Sequence, residues 1–72
     1  MALIEAGNGE IRDGPLYNWE LEDADGPRCN LTVAIGEWRL TRPYRTMLTS
    51  AEATTEAEKM APTLLFSINS AV

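Results

Sequence analysis

Four carboxylates fall within six residues, at Glu20, Glu22, Asp23 and Asp25. Clustered oxygens of this kind can hold a hard cation, or present dense negative charge to a partner. The run Asp23-Ala24-Asp25-Gly26 invites comparison with a calcium-binding EF-hand loop. Setting Gly26 at the sixth loop position makes Leu21 the first and Thr32 the twelfth, where that loop needs an oxygen ligand and a bidentate Glu. The match fails, and neither metal nor cofactor is expected. A solvated strand edge and loop would account for the acids; the functional alternative is an acidic docking surface. On a strand, Glu20 and Glu22 stand ~6.5–7 Å apart on one face, near the spacing of successive nucleic-acid phosphates. Any strand with acids two residues apart shares that property.

A second group is basic, with Arg39, Arg42 and Arg45 interleaved with Trp38 and Tyr44. Arginine and aromatic residues are enriched at interface hot spots, and they also bind single-stranded nucleic acid by phosphate pairing and stacking. Trp38 alternates with Leu40 and reads as core. Tyr44 follows Pro43 and reads as a loop residue free to make a contact. The arginines can equally pair with the acidic first third of the chain, where exposed pairs contribute only ~0–1 kcal/mol each.

Nucleophilic chemistry has little to draw on. The 72 residues include no His, and Cys29 is the single Cys. Without His, the usual base for a thiol or hydroxyl nucleophile and the commonest metal ligand are both missing. Gly7-Asn8-Gly9 is followed by Arg12 where a dinucleotide-binding fingerprint requires a third Gly, and no Gly-Lys-Ser/Thr occurs. Catalysis is therefore not expected. A lone Cys offers no intrachain disulfide and reads as a small buried hydrophobe in a reducing compartment.

Charge is distributed unevenly along the chain. Residues 1–25 carry seven acids against Arg12, residues 26–48 carry four arginines against Glu37, and residues 49–72 carry three acids against Lys59. The net charge of −5 argues against free nucleic acid as a partner, which needs an excess of cations on one surface. No basic and apolar leader opens the chain, and no apolar run approaches the ~20 residues of a membrane span. A cytoplasmic protein without a membrane partner is expected. Asn30-Leu31-Thr32 fits the glycosylation sequon but has no secretion signal to give it meaning.

The elements that must position these residues are short, because Gly and Pro punctuate the chain. Gly7-Asn8-Gly9 predicts a hairpin turn between Leu3–Ala6 and Glu10–Arg12. Leu16–Glu22 alternates, with Tyr17, Trp19 and Leu21 on one side. Arg28–Ile35 alternates with Cys29, Leu31, Val33 and Ile35 inward. Glu37–Arg42 continues with Trp38 and Leu40 inward, until Pro43 ends the strand. Thr49 through Glu52 fits a capping box. Ala53, Ala57, Met60 and Ala61 then make one helical stripe, which Pro62 stops. Thr63–Asn69, with Leu64, Leu65, Phe66 and Ile68, predicts a last strand.

The expected fold is one α+β domain: a small antiparallel sheet of four to five strands with one helix, about residues 50–61, packed on one face in the order β-β-β-β-α-β. A small barrel is the alternative. The expected core comprises Leu3, Tyr17, Trp19, Leu21, Cys29, Leu31, Val33, Ile35, Trp38, Leu40, Ala53, Ala57, Met60, Leu64, Phe66 and Ile68.

The function that fits is a small acidic protein-interaction module. In size and charge the chain is similar to phage-encoded anti-CRISPR and anti-restriction proteins, an analogy of class rather than of motif. That analogy implies an inhibitor of a nucleic-acid-binding complex, acting by occlusion or charge mimicry. The partner-binding candidates are Glu20, Glu22, Asp23, Asp25, Arg39, Arg42, Tyr44 and Arg45. One alternative is a structural subunit that self-assembles through its sheet. The other is a weak nucleic-acid binder using Arg39, Arg42 and Arg45.

Overall fold

A computed structural model describes residues 2–71. Four strands, β1 (Leu3–Glu10), β2 (Leu16–Asp23), β3 (Cys29–Ile35) and β4 (Trp38–Tyr44), precede one helix, α1 (Ser50–Ser70). The strands form an antiparallel meander in the order β1-β2-β3-β4, and the helix lies on one face, chiefly over β3. The fold is thus α+β with a four-stranded sheet.

The alternation read from the sequence sets the two faces. Leu21 stands opposite Leu31, and Trp19 opposite Val33. With Tyr17 and Cys29 these residues are buried beneath Ala53, Ala57, Met60, Ala61 and Leu64 of α1. Three of those five helical residues are Ala, which lets the helix axis approach the sheet closely. The largest fully buried side chains are Leu21, Leu31, Val33 and Met60, with the bigger Tyr17 and Trp19 almost as deeply buried; each aliphatic side chain contributes roughly 1.5–3 kcal/mol.

Several expectations are corrected. Gly7-Asn8-Gly9 is not a turn but the middle of β1, where Gly7 faces Trp19 and Gly9 faces Tyr17. A Cβ on Gly7 would stand 2.6 Å from the Trp19 ring, and one on Gly9 would stand 2.5 Å from the Tyr17 hydroxyl oxygen. The two glycines make room for aromatic rings that cross from β2 toward the sheet edge. The reversal falls instead at Ile11–Pro15, where Gly14 N–H donates to the Ile11 carbonyl at 2.8 Å and Asp13 takes φ 56°.

The predicted strand over 63–69 is helix. Leu64 and Ile68 extend the stripe begun at Ala53, Ala57 and Met60, and Leu64 is buried. Phe66, expected on the same inner face, points away and is 72% exposed. Pro62 lies inside α1 rather than at its end. Its ring removes one helical hydrogen bond, but Pro62 and Glu58, whose carbonyl would have accepted it, are both exposed, so water can serve that carbonyl.

Pro43, the expected end of the third alternating strand, lies within β4, at the sheet edge. Of the remaining expected core residues, Ile35, Leu40 and Ile68 are partly buried. Trp38 shares the helix side, since it pairs with Ile35, but remains 49% exposed because it sits at the corner of the edge strand. Leu3 is 56% exposed. A bulge between Leu3 and Glu5 inserts Ile4 and turns Leu3 to the uncovered face, beside Glu22. The two-residue Gly36-Glu37 turn joins β3 to β4, with φ +61° at Gly36, as a tight hairpin requires.

Candidate functional site

Among the described residues, no element covers the face of the sheet opposite α1. Across its strands the pairing makes three full rows: Leu3-Glu22-Asn30-Pro43, Ala6-Glu20-Thr32-Thr41 and Asn8-Asn18-Ala34-Arg39. Glu10 and Leu16 form a short fourth row. Glu20 and Glu22 therefore project from a central strand, with Glu10 beyond them on β1. Leu16, 69% exposed, pairs with Glu10, and Leu3 pairs with Glu22, at opposite ends of this face. The neighbours of Glu20 are small, Ala6 and Thr32, so its carboxylate is not overlapped by a bulky side chain. Thr32 and Thr41 share a hydroxyl hydrogen bond of 2.8 Å, which satisfies the buried polar Thr32 and ties β3 to β4 on this face.

The eight residues expected to bind a partner divide among three places. Glu20, Glu22 and Arg39 share the open face, with Arg39 on β4 two strands away from the acids. Asp23 and Asp25 belong to the β2–β3 end of the molecule. Asp23 is partly committed to structure: its carboxylate accepts from the Ala2 N–H, and its own N–H donates to the Ala2 carbonyl at 3.0 Å. Asp25 is exposed in the following loop. Arg45 lies at this same end, where it lines a shallow hollow of about 310 Å³ with Arg28, Pro43 and Tyr44.

Arg42 and Tyr44 lie on the helix side, opposite Leu31 and Cys29. Tyr44 is not the free loop residue expected from its position after Pro43. Its hydroxyl donates to the Glu56 carboxylate at 3.0 Å and points toward the Met60 sulfur at 4.0 Å. Burial raises the Tyr44 pKa above its ordinary value, and the bond to Glu56 raises it further, against a smaller opposing effect of Arg42. The same bond is the largest cause lowering Glu56, followed by Lys59, which bonds it at 3.3 Å. This group is a strap between β4 and α1. The three arginines of the second candidate group consequently do not form one track, since Arg39 and Arg42 point from opposite faces of β4.

Cys29 is fully buried, and its thiol donates to the Thr46 carbonyl at 3.4 Å. Among the described residues, no three acidic or Cys side chains converge closely enough to hold a metal ion. Among the described residues, no helix is long and apolar enough to cross a membrane.

Sequence reasoning missed the two exposed leucines of the open face. Leu16 opens the alternating run of β2 on its polar phase, with Asn18, Glu20 and Glu22, and that phase was a readable signal. The exposure of Leu3 follows from the bulge at Ile4, for which no local residue signal exists. No family model, curated protein or solved structure matches the chain.

Proposed function

We propose that this protein is a binding module whose open sheet face docks on a basic surface of another protein. One observation carries the reading: Glu20 and Glu22 are neighbours on an uncovered face with exposed Leu3 beside Glu22, and Glu10 with exposed Leu16 lies two rows further along the same face. Uncovered leucines next to carboxylates supply the two parts of an interface, apolar area for affinity and charge for steering. The chain's net charge of −5 adds long-range attraction toward a cationic partner. A groove that normally receives nucleic acid is the kind of surface this face fits best, and occupying it would inhibit by occlusion. Arg39, at the far side of the sheet, would meet the rim.

The test compares partner capture by the wild type with capture by a Glu20→Lys, Glu22→Lys double variant. Both acids lie on the solvent side of β2, so the variant keeps the fold, as circular dichroism would verify. Asp23 is left intact because it holds the Ala2 end of β1. A partner that binds the wild type, weakens as salt rises and is lost from the double variant supports the reading. Equal binding by both proteins removes the acidic face from it.

A further inference from the structure

The two edges of the sheet are not equivalent. Ile11 N–H donates to the Pro15 carbonyl at 3.1 Å, next to the Glu10–Leu16 pair. Hydrogen-bonding residues alternate along an antiparallel ladder. Glu5, Gly7 and Gly9 therefore turn their N–H and C=O groups toward β2, and Ala6, Asn8 and Glu10 turn theirs to the open edge. On the other side, Ala24 N–H donates to the Arg28 carbonyl at 3.0 Å. Even residues of β2 thus bond to β3, odd residues of β3 bond to β4, and Arg39, Thr41 and Pro43 carry the open edge of β4. Pro43 has no N–H to offer, and Arg39 places a charge there; both protect an edge against strand addition. β1 has no Pro, and its one charge on that edge, Glu10, stands at the very end of the strand. Its one irregularity, the bulge at Ile4, leaves Ala6–Glu10 as a regular five-residue template.

That template is complementary to itself. Antiparallel pairing about a two-fold axis at Asn8 sets Asn8 against Asn8, Gly7 against Gly9 and Ala6 against Glu10. Every outward N–H and C=O of the three edge residues then finds a partner. The Asn8 side chain, exposed on the open face, holds both a donor and an acceptor and so can bond its own copy. Each Glu10 meets an Ala, so no carboxylate faces another across the seam. On the helix side the facing residues are glycines, and the space above them is already filled by Trp19 and Tyr17 of the same chain. A foreign strand is recognised through side-chain pockets beside the edge, and these rings occupy that position.

We propose that Ala6–Glu10 pairs with the same segment of a second copy, joining two four-stranded sheets into one of eight strands. Pro43 and Arg39 end the growth at two, because the outer edges of the dimer are then the protected ones, and a closed dimer forms rather than a fibre. The seam runs through backbone edges and leaves Glu20 and Glu22 uncovered, so the proposal stands independently of the docking reading.

Sedimentation velocity of the full chain, from low micromolar to near-millimolar concentration, tests it. The wild type dimerises, and more tightly as salt screens the −5 charge of each copy. Asn8→Lys, which brings two ammonium groups to the axis, stays monomeric. Ala6→Lys, which sets a cation opposite each Glu10, dimerises about 2- to 30-fold more tightly, as two opposite-charge cross-strand pairs would give. At salt high enough to screen the added charge, Arg39→Glu, at the β4 edge, leaves dimerisation unchanged. Circular dichroism establishes that each variant is folded, and Ala6→Lys decides the matter should Asn8→Lys unfold. A wild type that is monomeric throughout, a dimer that survives Asn8→Lys, or one that Arg39→Glu disrupts at that salt would overturn the proposal.

Discussion

Tyr44 ties β4 to α1 through a 3.0 Å hydrogen bond from its hydroxyl to the Glu56 carboxylate. Following Pro43, it reads as a residue released from the sheet. In the fold, Pro43 is an edge position of β4 that needs no donor, so the strand continues and delivers the Tyr44 hydroxyl to Glu56. The consequence is a pH dependence with a definite sign. Glu56 is held below its ordinary pKa, first by the Tyr44 hydrogen bond and then by Lys59. Its contribution to stability is therefore present above the ordinary Glu range and is lost as pH falls through the lowered folded-state value. Tyr44→Phe removes the larger cause. Thermal melts on descending pH should show a shallower acid loss for Tyr44→Phe than for wild type, with the two curves converging once Glu56 is protonated. Parallel curves across the carboxylate range would show that the bond does not bias Glu56. The raised Tyr44 pKa acts at the alkaline end: its share of stability is complete below the ordinary Tyr value and is lost as pH rises through the folded-state value.

At the scale of elements, the helix provides the sharpest discrimination. As a strand, residues 63–69 would place Leu64, Phe66 and Ile68 on one inner face. As a continuation of α1, they bury Leu64, half-bury Ile68 and expose Phe66. Leu64→Ala should cost about 2–5 kcal/mol, the range for truncating a buried Leu. Phe66→Ala should stay within about 0.5 kcal/mol, as surface changes do. Denaturant unfolding of the two variants measures both, and comparable losses would favour the strand. The sequence made β2, β3, the inward phase of β4 and the N-terminus of α1 legible, because each has a strict period or a capping box confined to a few residues. It did not make the end of the helix legible, because Pro62 is a strong local stop signal and its tolerance depends on its place on the exposed side of α1, with Glu58 one turn before it. Gly7-Asn8-Gly9 misled for a related reason. Asn-Gly is a local turn signal, whereas the need for two bare Cα atoms arises from Trp19 and Tyr17 about ten residues away. The site was legible in half-measure: Glu20 and Glu22 fall on a common face by alternation alone, but the division of Arg39 from Arg42, and of Asp23 from both glutamates, required the register.

At the scale of the whole molecule, the acidic, basic and acidic thirds of the chain do not become three charged faces. Glu10, Glu20 and Glu22 take the open side of the sheet, while Asp23 and Asp25 lie at the same end as Arg28 and Arg45. Among the described residues one ion pair forms, between Lys59 and Glu56 on the helix surface, with a lysine side chain 68% exposed. Exposed pairs of this kind contribute little, while a net charge of −5 on 72 residues opposes the compact state by self-repulsion. Salt weakens both effects, and repulsion is the larger. The folded monomer should therefore become more stable as sodium chloride is added over the first few hundred millimolar. A gain of about 1 kcal/mol corresponds to roughly 4–8 °C in Tm for a domain of this size. The measurement belongs on Asn8→Lys at low concentration, where removal of the β1 seam separates folding from self-association. That variant adds a cation and so lessens the repulsion slightly, which makes a rising Tm the more demanding outcome. A Tm that falls with salt would mean that attraction between the acidic and basic thirds holds the fold together, and Arg28 and Arg45 beside the Asp23–Asp25 end would be the first pairs to examine.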